Sequence, residues 1–244
     1  MRGLVPWFGD EPAARLDLAR GETDAVIGGG TQRVEARLAG GRPAEVKGAL
    51  TAKAPKGIEV TVPKQTTVPR GARTDVPVDI TVPADTPAGE YEVPLNFGGE
   101  ESTLTVRAFP RTGGADLVRT ATASSSGDET ADFPASAASD GDPDTRWSSP
   151  VEDSAWWQAE LPVPVRLGQV VLRWQDAHAS RYRVQVSADG RTWRTAATVR
   201  QGRGGRESVR MDTKDTRFIR IQADSRATRY GYSLWSVEAY AVAE

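Results

Sequence analysis

Between Ala138 and Trp147 the chain reads Ala-Ser-Asp-Gly-Asp-Pro-Asp-Thr-Arg-Trp. Asp140, Asp142, Asp144 and Thr145 set oxygen-bearing side chains around the turn at Gly141. A hard cation such as Ca²⁺ takes about six to eight oxygens from carboxylates and carbonyls, and a loop of this kind can wrap one. Nearer the C-terminus, Arg229–Trp235 reads Arg-Tyr-Gly-Tyr-Ser-Leu-Trp. A flat aromatic with a polar tip, carried on a loop, is a surface on which a sugar ring stacks. The two segments together describe a binding module rather than a catalyst.

Such loops need a scaffold, and the sequence supplies β-strands. Val76, Val78, Ile80 and Val82 alternate with polar residues such as Asp75, Asp79 and Thr81. Tyr91, Val93, Leu95 and Phe97 repeat the pattern, and so do Leu104, Val106 and Ala108. A period of two marks half-buried strands. Gly28-Gly-Gly30, Pro69-Arg-Gly71 and Pro87-Ala-Gly89 punctuate them as turns. About seven short strands in roughly a hundred residues fit an immunoglobulin-like sandwich. Pro110-Arg-Thr-Gly-Gly-Ala115 is a small-residue break. Beyond it, Val170–Leu172, Tyr182–Ser187, Trp193–Val199, Phe218–Gln222 and Ser236–Tyr240 read as strands. Ser187-Ala-Asp-Gly190 reads as a tight hairpin turn, because Asp-Gly supplies positive φ.

Composition narrows the chemistry. The 244 residues suit one large or two ordinary domains. There is no cysteine, which excludes disulfides, thiolate metal sites and cysteine nucleophiles. A single histidine, His178, leaves little room for histidine-rich metal chemistry or a Ser-His-Asp triad. A net charge of −2 and a pI near 5.7 give no footprint for nucleic acid. No apolar run reaches the length of a membrane span. The opening Met-Arg-Gly-Leu-Val-Pro-Trp-Phe is too short for a signal-peptide core, so a secreted protein would be a mature form or the tail of a longer chain.

Two resemblances add to this reading. Thr81-Val-Pro-Ala-Asp-Thr-Pro-Ala-Gly-Glu-Tyr-Glu-Val93 is similar to the strand entry of immunoglobulin-like spacers beside carbohydrate modules in bacterial α-galactosidases and related hydrolases. Tyr91 is then a corner residue that ties a loop. In the second half, the resemblance rests on Ala121–Ser125, the Asp140–Trp147 loop, Trp156 with Leu161, Gln185–Trp193, Arg217–Ile221 and Gly231–Trp235. These segments resemble the coagulation factor 5/8 type C (discoidin) domain and, within it, carbohydrate-binding module family 32. The expected organisation is all-β: a lead-in at 1–13, an immunoglobulin-like spacer at 14–109, a linker at 110–117 and a discoidin-type jelly roll at 118–244.

The resemblance implies one structural Ca²⁺. Ala137, Asp142, Thr145 and Val237 would supply backbone carbonyls, Asp140 and Thr145 side-chain oxygens, and Glu238 a carboxylate. It also implies a sugar site on the loops at one end, with Glu129, Arg146, Glu152, Gln175, His178 and Tyr230 as candidate contacts. Each has a plainer reading; Arg146 could pair with a neighbouring Asp and Glu129 could cap a turn. Trp147, Trp156, Trp193, Trp235 and Tyr232 are expected in the core. Gln175 stands where a Glu often follows the loop Trp, which weakens attraction for a cationic glucosamine.

The expected function is a non-catalytic, monomeric carbohydrate-binding module with its spacer. Its partners would be a poly- or oligosaccharide and a secreted bacterial glycoside hydrolase, with no nucleic acid, in an extracellular setting. A phospholipid- or protein-binding adhesion module is the alternative. A hydrolase would need two carboxylates held across a bond, and no such pair stands out.

Overall fold

A computed structural model describes residues 14–40 and 44–243. It divides into two compact units with the boundary between Phe109 and Pro110. The lead-in expected at 1–13 lies outside the described residues.

The first unit contains β1 (Ala14–Leu18), β2 (Glu22–Val26), β3 (Gln32–Gly40), β4 (Val46–Gly48), β5 (Thr51–Ala52), β6 (Glu59–Thr61), β7 (Thr66–Val68), β8 (Arg73–Thr81), β9 (Gly89–Phe97) and β10 (Glu100–Phe109). One sheet has the order β1-β3-β8-β6 and the other β2-β10-β9-β5. Four strands facing three, with β2 added in parallel to the edge at β10, follow the immunoglobulin arrangement. The alternation read from sequence sets the layers. Val76, Val78 and Ile80 point inward with Val93, Leu95, Phe97, Leu104 and Val106, and all are buried. Outward-facing residues pair across strands, as Arg33 does with Asp79 at 2.7 Å. Such exposed pairs contribute little, about 0–1 kcal/mol each. The Tyr91 hydroxyl donates to the Pro87 carbonyl at 2.7 Å, so this ring does tie the corner before β9.

The second unit contains β11 (Thr112–Gly113), β12 (Thr122–Ser125), β13 (Trp147–Ser148), β14 (Ala155–Trp174), β15 (Ala179–Ser187), β16 (Arg194–Val199), β17 (Arg206–Arg226) and β18 (Ser233–Val242). The sheet path is β11-β18-β14-β17-β15-β16, with β12 on β14 and β13 on β18. β14 and β17 are twice the length of an ordinary strand because each serves two layers. Residues 155–160 of β14 pair with 218–223 of β17, and residues 169–173 with 206–210. The register breaks between Glu160 and Val165, at Pro162-Val163-Pro164, where two residues lack an N–H. β17 turns at the same level through Asp215, which has φ 53°. The folded sheet encloses one core, with Trp157, Tyr182, Ile219 and Val184 from one layer against Leu167, Leu172, Met211 and Val237 from the other.

Two expectations need correction. The segment 110–117 is not a free linker: Thr112 and Gly113 pair with Val242 and Ala241, and Leu117 starts a 3₁₀ turn capped by Asp116. The turn at Ser187–Gly190 belongs to a longer connection, since β16 begins only at Arg194. Gly190 does have positive φ, at 72°.

Candidate functional site

Three loops meet at one end of the second unit: residues 149–154, 174–179 and 226–233. Each is locked to another by backbone. Ser149 N–H donates to Tyr232 O at 2.8 Å, Gln175 N–H to Ser233 O at 3.0 Å, Ser233 N–H to Ala177 O at 2.8 Å and Ala227 N–H to His178 O at 3.0 Å. Side chains close the joint. Arg226 Nε donates to Asp153 Oδ1 at 2.7 Å, and the Tyr232 hydroxyl to Asp153 O at 2.7 Å. Burial, and then the charge of Asp153, push the Tyr232 phenol up to about 12, so it remains a donor. Gly231 allows the close approach, because a Cβ there would collide with Ser149 O and Pro150 O.

Tyr230 stands on this frame with 55% of its surface exposed. Arg229 lies 5.0 Å from its ring centroid and donates to its hydroxyl at 2.8 Å. The guanidinium therefore ties the exposed phenol through its hydroxyl. Glu152 is exposed on the adjoining loop, and its carboxylate has no partner among the described residues. Gln175 Oε1 accepts from Ala177 N–H at 2.8 Å, which leaves its NH₂ to donate. His178 Nδ1 lies 2.9 Å from Asp176 O. A carbonyl only accepts, so the neutral ring carries its proton on Nδ1 and offers Nε2 as an acceptor. Glu129 joins from a fourth loop: its N–H donates to Ser148 O at 2.7 Å, and its carboxylate is exposed and free.

The structure sets Arg146 apart. Its guanidinium stacks on Phe133 at 4.1 Å and faces Trp235 at 5.4 Å, and its Nε is buried with no hydrogen-bond partner. It lines a cleft of about 350 Å³ with Asp132, Asp140 and Asp144, which contains none of Tyr230, Gln175 or His178. No ion pair with a neighbouring Asp forms.

Arginines also explain a correction to the core. Trp147 and Tyr232 are buried as expected, whereas Trp156, Trp193 and Trp235 are only half-buried. Arg220 lies between Trp156 and Trp193, at 4.5 and 3.8 Å from their centroids, on the outer face of the sheet. Trp157 and Trp174 occupy the core instead.

At the Asp-rich loop the donors converge on Thr145. Its hydroxyl lies 3.3 Å from Ala137 O, 2.9 and 3.0 Å from the two Asp140 oxygens and 3.2 Å from Asp142 O. One hydroxyl proton cannot satisfy four acceptors. This donor set fits a hard cation, with neutral carbonyls outnumbering carboxylates. Among the described residues no three carboxylate or histidine side chains gather, so backbone oxygens would carry most of the coordination. Val237 and Glu238 line a cleft of about 280 Å³ together with Asp142 and Gly141. Glu238 accepts from Tyr240 at 2.8 Å, and the Arg119 guanidinium fills the space where a Gly141 side chain would stand.

Some functional candidates escaped the sequence reading. Val151 is 61% exposed on the 149–154 loop, and an apolar residue inside Pro-Val-Glu-Asp was the available signal. Glu207 is another. It accepts from Trp174 Nε1 at 3.0 Å, the Tyr182 hydroxyl at 2.9 Å and Arg203 N–H at 2.8 Å, and so fixes the base of the 174–179 loop. Nothing local in the sequence marks it.

Comparison with known proteins bears on the same half. Residues 120–237 match the family model of the F5/8 type C domain. The chain is 36% identical to the crystal structure of chitosan-binding module 1 from a chitosanase/glucanase of Paenibacillus sp. IK-5, covering 52% of this chain and 99% of that one, with a TM-score of 0.50. Module 2 of that enzyme, solved in complex with chitotriose, is 34% identical over 51% of this chain and 99% of that one, also with a TM-score of 0.50. A search of curated proteins found no match.

Proposed function

Through residues 120–237 the chain belongs to the F5/8 type C domain family, and we propose that it serves as a non-catalytic glycan-targeting region whose ligand seats on Tyr230. One observation carries this reading: an exposed aromatic, tied to Arg229 through its hydroxyl, stands on three interlocked loops that also carry exposed polar side chains. Tyr230 would stack on a sugar face. Glu152, the Gln175 amide and His178 Nε2 would take hydroxyls or an amine, and Glu129 would reach in from the fourth loop. The two free carboxylates suit an amino sugar, and the ligands named for the two relatives make a glucosamine oligosaccharide the first to try.

Ca²⁺ would hold the Asp140–Thr145 loop in shape, through Asp140, Thr145 and the carbonyls of Ala137 and Asp142, with Val237 and Glu238 closing the set. Its contribution there is structural. The first unit would space this module from a catalytic glycoside hydrolase, secreted with it and acting outside the cell.

Exposed Val151 and Tyr230 beside Arg226 and Arg229 also bear on the phospholipid reading. Glu152, Asp153 and Asp176 are exposed on the same set of loops, and that acidity opposes an anionic membrane.

The test is retention of the whole chain on a panel of insoluble polysaccharides, with anionic vesicles as the contrast. Binding to a glycan at a dissociation constant of about 0.1–1 mM, about −4 to −5.5 kcal/mol, is expected. Sedimentation with vesicles and with no glycan would reverse the assignment.

A further inference from the structure

Arg173 of β14 lies directly opposite Arg206 of β17 in the antiparallel register, and its partner on the other side is Ser236 of β18. Residues opposite one another project from the same face, and both arginines are exposed. Like charges in this position destabilise a sheet. Arg210 follows on the same face of β17, and Arg200 and Arg203 are exposed on the loop that leads into it. None of the five has an ion-pair partner among the described residues.

The carboxylates nearby hydrogen-bond to other donors, and none forms an ion pair with these five arginines among the described residues. Glu207 turns toward Trp174 and Tyr182, Glu238 accepts from Tyr240, and Asp212 is held by Arg166 at 2.7 Å. In the adjoining cleft, which Arg173 and Arg119 line, Asp116 accepts from Val118 and Ala239 N–H and Asp142 from Asp144 N–H. Asp142, which lines that cleft, and Asp176, on the loop beyond Trp174, are exposed acids.

We propose that this edge is a second binding surface, for an acidic polysaccharide whose carboxylate or sulfate group bridges Arg173 and Arg206. A guanidinium presents a planar fork of donors that matches either group. An anion between the two side chains also removes their repulsion. The Ser236 hydroxyl, next in the row, is left for a sugar hydroxyl. The choice of a polysaccharide over other polyanions rests on the glycan-binding reading and on position. The 200–205 loop packs against the Tyr230 end: a Cβ at Gly204 would come within 2.8 Å of His178 Nδ1, and Trp174 N–H donates to Gly205 O. A chain seated there continues across the arginines. Among the described residues the exposed large apolar ones are Val151, Val163 and Tyr230, and none belongs to this arginine row.

The test passes the whole chain over immobilised polygalacturonate, dextran sulfate and neutral dextran at about 20 mM and about 300 mM NaCl. The wild type should be retained on the acidic matrices at low salt and released at high salt. The double variant Arg173→Ser, Arg206→Ser should bind about tenfold more weakly. It should melt no lower than the wild type, because a repulsive pair is gone. Arg20→Ser with Arg70→Ser, which removes the same charge from exposed positions of the first unit, should be retained like the wild type. Equal retention of the double variant would overturn the proposal, and so would equal binding of the wild type to phosphatidylserine vesicles or single-stranded DNA. Failure of the glycan reading itself would appear elsewhere, as wild type that ignores every neutral or amino-sugar glycan.

Discussion

At the scale of residues, Tyr230 and Glu207 divide the labour. Tyr230 stands in solvent, and its support comes from Arg229 and from backbone that its removal leaves intact. Tyr230→Ala should therefore abolish glycan retention while shifting the melting temperature little; a folded variant that still binds would remove Tyr230 from the site. Glu207 works from below, as the acceptor of two buried side chains. Glu207→Ala strands the Trp174 indole N–H and the Tyr182 hydroxyl, and each buried unsatisfied donor costs about 1–3 kcal/mol. Chemical denaturation should show a loss of about 2–4 kcal/mol. Tyr230 was legible because an aromatic in a polar loop near a strand start is unusual. Glu207 was not, because its partners come from two other strands and only the fold brings them together. The arginine caps on Trp156, Trp193 and Trp235 were hidden for the same reason: a tryptophan reads as core until a cation is seen covering its face.

At the scale of elements, the loop 188–193 and the Asp-rich loop carry distinct predictions. Asp189 accepts from Thr192 N–H and Arg191 N–H at 2.8 Å each and from the Ser187 hydroxyl at 2.9 Å. These bonds hold its carboxyl at about 2, below the ordinary value of 3.8. The unfolded chain therefore takes up this proton first. The stabilisation is complete above about pH 4 and is lost as the pH falls toward 2. Amide exchange in 187–193 should rise across that window, and Asp189→Asn should flatten the change. For the Asp-rich loop, Ca²⁺ should raise the melting temperature and EDTA should lower it, with Asp140→Ala insensitive to both. No response in the wild type would leave Thr145 and Arg119 to hold the loop without a metal. Strand alternation was the most legible feature, since Val76 to Ile80 and Val93 to Phe97 fall in the core as their period requires. The fold-over of β14 was not. Val163 and Val165 look like ordinary strand residues, yet the prolines around them break the ladder and carry the chain into the second layer.

At the scale of the whole molecule, each unit encloses its own core, and no residue of one core belongs to the other. All of the sugar and cation candidates lie in the second unit. Cut at the boundary, residues 110–244 should fold alone and keep the affinity of the full chain, whereas cutting at residue 118 removes β11 and Asp116 and should destabilise the fold. The central claim, that glycan seats on the three interlocked loops, is tested most directly by amide chemical-shift mapping of the whole chain titrated with a glucosamine oligosaccharide. Saturable shifts should cluster in 149–154, 174–179 and 226–233 and disappear in Tyr230→Ala. Saturable shifts confined to any other face, with these loops silent, would contradict it.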